Sequence, residues 1–203
     1  MLKKTASILL LAGVLFSANA RVVDGALLEK EGDLIYLKHD KYAFTGKAIY
    51  YYSNGKKWKL VPYVEGELDG KLESWYANGK QKEVAYFKRG KQDGEYTLWY
   101  KNGNKKMTAY FVRGRQDGET TSWYDDGSKK SVAHFIRNRL DGEINTWHPN
   151  GNKKLQGGFA RGKKDGTFTT WYSNGQKAEV LEYQSGELKK EVAKWDKNGK
   201  RTY

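Results

Sequence analysis

Polar and apolar side chains alternate along this chain at the two-residue beat of β-strands, and the alternation breaks at regular intervals. From Gly94 to Asp117 the order runs GEYTLWY, KNGN, KKMTAYFVRG, RQD. The first segment is rich in Tyr, Thr and Trp and the second carries Met, Thr, Ala, Tyr and Phe, residues that suit a pleated, half-buried surface. Both change polarity too quickly for a helix, in which apolar residues recur every three or four positions. The unit therefore predicts two strands and two turns. Gly55, Gly79, Gly103, Gly127, Gly151, Gly175 and Gly199 are spaced 24 residues apart, and Trp75, Trp99, Trp123, Trp147, Trp171 and Trp195 keep the same interval. So do Gly70, Gly94, Gly118, Gly142 and Gly166, each preceded by Asp. A hairpin this short buries no core alone, so the copies must stack. The predicted fold is all-β, an elongated array of 24-residue antiparallel β-hairpin repeats.

The turns set the register. Asn102-Gly103 recurs as Asn54-Gly55, Asn78-Gly79, Asn150-Gly151, Asn174-Gly175 and Asn198-Gly199, with Asp126-Gly127 as a chemical equivalent. It is a hairpin signal, because a two-residue loop needs positive φ at its centre and Asn and Gly adopt it cheaply. The seven glycines are read as structural turn positions. A loop of two or four residues places Tyr100 opposite Lys105, Leu98 opposite Met107 and Tyr96 opposite Ala109, whereas a three-residue loop with a bulge exchanges the faces of the second strand. The second turn, Gly114 to Gly118 in the type unit, returns the chain to the next hairpin. Along the stack Tyr76, Tyr100, Tyr124, His148 and Tyr172 become one ladder, and Tyr63, Phe87, Phe111, Phe135, Phe159 and Tyr183 another. Residues 21–45 are expected to form an N-terminal cap and lead-in strand, residues 46–189 the repeats, and residues 190–203 a degenerate closing copy in which Lys190 stands where glycine is due.

Residues 1–20 carry a basic start at Lys3 and Lys4, an apolar run from Ile8 to Phe16, and Ala18-Asn19-Ala20 before a cleavage point, the marks of a secretory signal peptide. Export is expected, to the periplasm, the outer surface or the medium, with no transmembrane segment after signal removal. The 203 residues include no cysteine, which excludes disulfide staples, thiolate chemistry and a lipidated cysteine. A formal charge of +13 points to an acidic partner, either a protein or an anionic component of the envelope. Export argues against nucleic acid as that partner, and unpaired strands at the two ends leave open whether a second copy joins there.

Taken together, W-Y-x-N-G-K, a strand ending in Tyr-Phe, and R-G-K-x-D-G over about residues 40–199 resemble the variant MORN repeat of bacterial proteins in the YwqK-like antitoxin group. The lead-in Tyr42-Ala43-Phe44-Thr45-Gly46 carries the resemblance as well. It implies a run of β-hairpins in an extended, twisted antiparallel sheet, serving as a protein- or membrane-binding module, a scaffold or an antitoxin. No catalytic residue comes with it.

The candidate chemistry reduces to binding. Of the three histidines, His39, His134 and His148, the latter two stand in columns filled elsewhere by aromatic residues and read as aromatic substitutes, since catalysis or metal binding would need a unique partner constellation and the neighbouring acids merely recur with the period. The column Asp69, Asp93, Asp117, Asp141 and Asp165 supplies one carboxylate per turn, short of the several oxygens that calcium requires, and reads as turn chemistry. Neither a catalytic residue, a metal nor a cofactor is expected. The expected site is a partner-binding row of Trp75, Trp99, Trp123, Trp147 and Trp171, bordered by Lys105, Lys106, Lys129, Lys130, Lys153 and Lys154. On this reading the protein binds another macromolecule at the bacterial envelope or outside the cell. The alternatives are an antitoxin or immunity protein that covers a toxin, and a module for the cell wall or for anionic lipid.

Overall fold

The computed structural model describes residues 21–202, and the expected signal peptide at residues 1–20 lies outside the described residues. A 17-stranded sheet runs through the chain beside a separate two-stranded hairpin. The lead-in holds β1 (Val22–Asp24), a 3-10 turn (Gly25–Leu27), and the hairpin of β2 (Leu28–Glu31) and β3 (Leu34–Leu37). The repeats begin with β4 (Gly46–Tyr51), β5 (Lys57–Val64), β6 (Glu67–Leu68), β7 (Gly70–Trp75), β8 (Gln81–Lys88), β9 (Lys91–Trp99) and β10 (Lys105–Val112). They continue as β11 (Arg115–Gln116), β12 (Gly118–Trp123), β13 (Lys129–Ile136), β14 (Arg139–Trp147), β15 (Lys153–Ala160), β16 (Lys163–Lys164), β17 (Gly166–Trp171), β18 (Lys177–Gln184) and β19 (Glu187–Lys194). The short β6, β11 and β16 are the first residues of the strands that follow them. From β4 to β19 neighbouring strands pair antiparallel, the hairpin array that the alternation predicts.

The first turn departs from the two-residue loop, and the departure cancels within a few residues. Gly103 N–H donates to the Tyr100 carbonyl at 3.0 Å and Tyr100 N–H to the Asn104 carbonyl at 2.9 Å, which closes a three-residue loop. Gly103 has a φ of 98°, while Asn102 is absent from the residues with positive φ. The odd loop pairs Lys105 with Trp99 and not, as expected, with Tyr100. Alone it would turn the second strand over. A bulge between Lys105 and Met107 inserts one residue and turns it back, so Leu98 faces Met107 and Tyr96 faces Ala109 as expected. The same pair of irregularities recurs along the array.

Positive φ at both centres belongs to the second turn. Arg113 and Gly114 have φ of 50° and 79°, and Val112 pairs with Arg115 across them. Such a turn twists in the same sense as the strands it joins.

Most of the buried apolar side chains line one surface of the sheet, while Pro62, Thr121 and Ala193 are buried on the other. Ala48 faces Val61, Leu72 faces Ala85, and Ala85 and Ala109 flank Tyr96; further on, Ala133 faces Ile144 and Gly157 faces Ile144. A small residue thus stands opposite a large one at successive positions. The densest part is the buried cluster of Ala48, Val61 and Leu72, against which Leu28, Tyr50, Tyr63, Leu68 and Phe87 pack. Leu28 comes from the lead-in hairpin, which is tied down where Ile35 N–H donates to the Gly66 carbonyl at 3.1 Å. β1 lies parallel against β4 and covers that edge of the sheet. The other edge strand, β19, carries Glu187, Lys189, Lys190, Glu191 and Lys194, and charge along an edge opposes further pairing. Among the described residues no helix is long and apolar enough to cross a membrane.

Candidate functional site

Successive repeats are braced at both ends of the hairpins. At the first turn, Tyr52, Tyr76, Tyr100 and Tyr124 donate their hydroxyls to the carbonyls of Trp75, Trp99, Trp123 and Trp147 at 2.6–2.8 Å. Tyr172 does the same to Trp195 at 2.9 Å. In the remaining copy His148 Nε2 meets the Trp171 carbonyl at 2.9 Å, so His148 is the aromatic substitute that its column suggests. A carbonyl only accepts, so Nε2 carries the proton.

The turn asparagines do more than bend the chain. Asn102 Oδ1 accepts the Asn104 N–H at 2.9 Å, and its Nδ2 reaches across to the Asp125 carbonyl of the next turn at 2.6 Å. Asn78, Asn150 and Asn174 bridge in the same way to Lys101, Ser173 and Lys197. At the second turn the acidic column takes over. Asp69, Asp93, Asp117 and Asp141 each accept the backbone N–H of Arg89, Arg113, Arg137 and Arg161, the first centre of the following turn, at 3.1–3.4 Å. Asp165 holds Ser185 at 3.1 Å. One carboxylate per turn is thereby committed to backbone.

The tryptophan row exists, and its rings are half-buried. Lysines interleave with it: Lys129 Nζ lies 5.7 Å from the Trp147 ring centre and Lys153 Nζ 5.6 Å from that of Trp171. Each of these lysines is paired in the sheet with the preceding tryptophan, Trp123 or Trp147, so Trp and Lys alternate along the array. Near the other end Trp75 shares a shallow cleft with Lys56, Lys57 and Gly79. Lys105 pairs with Trp99 in the same register.

The lysine border, however, is two rows. Lys106 and Lys130 lie over the Tyr100 and Tyr124 rings, each at 5.5 Å, while Lys129 lies over Trp147. The cause is alternation, since adjacent strand residues leave opposite surfaces. Lys105, Lys129 and Lys153 therefore side with the tryptophans, and Lys106 and Lys130 with the tyrosines. Lys154 is exposed one residue after Lys153 and follows the second set.

A second basic row escaped the sequence reading. Arg89, Arg113, Arg137 and Arg161 occupy the first centre of four consecutive second turns, with φ of 48–53°. Clefts of about 550 and 570 Å³ separate these turns; Arg113, Arg115, Arg137 and Val112 line one, and Lys88, Arg89, Lys91 and Arg113 the other. The signal was present in R-G-K and R-G-R, and in the end copies, where Glu65 with Glu67 and Ser185 with Glu187 hold the same positions. Treating the whole motif as turn chemistry concealed it.

No curated protein matches the chain. The family described as MORN repeat variant matches residues 44–65, 68–89, 92–113 and 164–185. Residues 116–137 and 140–161 continue the same spacing with the same braces, Tyr124 on Trp147 and His148 on Trp171. The chain is accordingly a repeat protein whose hairpins match the MORN repeat variant in four segments, with two further hairpins of the same build between them.

Proposed function

We propose that the chain is a non-catalytic docking protein, exported and acting at the bacterial envelope or outside the cell, whose ribbon binds another macromolecule. The observation that carries this reading is the seating of Lys129 and Lys153 on the rings of Trp147 and Trp171. A lysine held on a ring presents its charge at a fixed place, so less side-chain entropy is lost when an acidic partner arrives. The groups that hydrolysis would recruit are employed otherwise: the acidic column holds turn backbone, and His134 and His148 sit on the carbonyls of Asp141 and Trp171.

The test is binding of the mature protein to candidate partners and to anionic vesicles across a salt series, with wild type beside a Lys105→Ser, Lys129→Ser, Lys153→Ser variant. Weaker binding by the variant, with a shallower salt dependence, is expected. Binding indifferent to both salt and substitution would refute steering by this row. The resemblance to the YwqK-like group favours a second reading, an immunity protein, in which the captured partner is a toxin that loses activity at equimolar protein. Export rests on residues 1–20 and is checked by the N-terminal sequence of the protein recovered outside the cytoplasm.

A further inference from the structure

The arginine row lies at the opposite end of the hairpins from the Trp and Lys row and asks for its own explanation. Arg89, Arg113, Arg137 and Arg161 hold the left-handed conformation, which Asn, Asp or Gly adopts at less cost, by about 1 kcal/mol per residue. Turn geometry alone does not ask for arginine, because Glu65 and Ser185 fill the same position with φ of 50° and 53°. The basic residues are confined to the four central turns and give way to Glu65 and Glu67 at one end and Ser185 and Glu187 at the other.

A bounded strip is the mark of a bounded ligand. Consecutive turns on one edge lie about 10 Å apart, two strand spacings, so four turns span about 30 Å. The surface between them is mixed. Val112 and Ile136 are 41 % and 43 % exposed beside the arginines, and Asp93 and Asp117 stand in the walls of the clefts. A continuous polyphosphate would meet those carboxylates at each step. A polypeptide that alternates acidic and apolar side chains meets both the guanidinium groups and the exposed aliphatic ones. In an extended left-handed helix of three residues per turn, like side chains recur about every 9 Å, close to the spacing of the turns.

We propose that the edge formed by Arg89, Arg113, Arg137 and Arg161 is a docking strip for an extended acidic polypeptide segment, with Asp or Glu near every third residue and small apolar residues between. This surface is separate from the Trp and Lys row, so either stands if the other fails.

The experiment uses the full mature chain and a labelled peptide of about ten residues, the length that covers the strip at about 3 Å per residue. The peptide carries Glu at every third position and Val or Ala elsewhere, and binding is read by fluorescence anisotropy. The comparison is with a variant carrying Arg89→Ser, Arg113→Ser, Arg137→Ser and Arg161→Ser. Ser185 shows that serine fits this turn, and an unchanged circular dichroism spectrum confirms folding. Wild type is expected to bind at least about tenfold more tightly than the arginine variant, with affinity falling as salt rises. The Lys105→Ser, Lys129→Ser, Lys153→Ser variant should bind as wild type does. Equal affinity of wild type and the arginine variant overturns the proposal. So does arginine-dependent binding to anionic vesicles or to polyphosphate with none to the peptide.

Discussion

The Tyr100 hydroxyl donates to the Trp123 carbonyl at 2.8 Å, across 23 residues of chain and from one repeat into the next. A side chain at the end of one hairpin is therefore satisfied only when the following hairpin is in place. The same link, made by Tyr52, Tyr76, Tyr124, His148 and Tyr172, joins each copy to its successor. Coupling of this kind, nearest neighbour to nearest neighbour, is how a linear array gains the cooperativity that a single hairpin lacks.

Tyr100→Phe keeps the ring and removes the donor. The expected loss is about 1 kcal/mol, the net worth of one hydrogen bond, read as a lower denaturation midpoint at unchanged slope. Tyr172→Phe removes the corresponding bond to the terminal copy, and hydrogen exchange should show its effect confined to residues after about 177. A uniform loss of protection throughout the chain from Tyr172→Phe would contradict nearest-neighbour coupling.

Gly157 faces Ile144 in the sheet and lies under the ring of Phe168, where a Cβ would fall 2.4 Å from Phe168 Cδ1. Gly157→Ala is thus expected to destabilise by about 1–3 kcal/mol through overpacking. The double variant Gly157→Ala with Phe168→Ile should recover much of that loss, because Ile opposite Ala already occurs where Ile144 faces Ala133. Thermal or denaturant midpoints of the two single variants and the double variant measure the coupling. Additive losses would mean that the two side chains do not share this space.

The repeat, the strand pairs and the aromatic columns could be read from the sequence because each depends on residue type at fixed spacing. Leu98 opposite Met107 followed from the alternation, and His148 from its column. The turn geometries did not follow. Asn-Gly suits a two-residue loop, but a three-residue loop followed by a bulge at Lys106 returns the strand to the same faces, so the side-chain pattern does not distinguish them. Nor does a motif reveal that Asn102 spans to Asp125, since that contact depends on the distance between neighbouring turns. Alternation separates Lys129 from Lys130, but which of them sides with the tryptophans depends on the odd loop that pairs Lys129 with Trp123, and that loop was not legible. The arginine row was visible as letters but lay in columns already assigned to turns.

Two tyrosines should govern behaviour in alkali. Burial pushes the Tyr96 hydroxyl up to about 12, helped by the nearby Glu83, and burial beside Tyr50 does the same for Tyr63. In the unfolded chain these groups ionise near 10. Their folded values are the higher ones, so their contribution is fully present below about pH 10 and is lost as pH rises toward 12. Tyrosinate absorbance from these two rings should appear together with the loss of the circular dichroism signal. Tyr96→Phe should move that alkaline transition to higher pH, and an unmoved transition would show that another group drives it.

Asp126 occupies the place that Asn holds in the neighbouring first turns, and its chemistry is half of theirs. It accepts the Ser128 hydroxyl at 2.6 Å and the Ser128 N–H at 2.7 Å, and these bonds hold its carboxyl below the usual carboxylate range. A lowered value in the folded state contributes stability above the ordinary carboxylate range, lost as pH falls through the folded value. A carboxylate has no hydrogen to offer the next turn, whereas Asn102 and Asn150 each give one to the carbonyls of Asp125 and Ser173 at 2.6 Å. Asp126→Asn keeps an oxygen for the Ser128 N–H and adds a donor facing the Pro149 carbonyl, the position that corresponds to Asp125 and Ser173. The substitution should raise the thermal midpoint at neutral pH and flatten its decline in acid. Midpoints of both proteins measured from neutral pH down to about 3 decide the matter, because a variant that melts no higher and loses stability in acid as the parent does would show that the cross-repeat amide adds nothing.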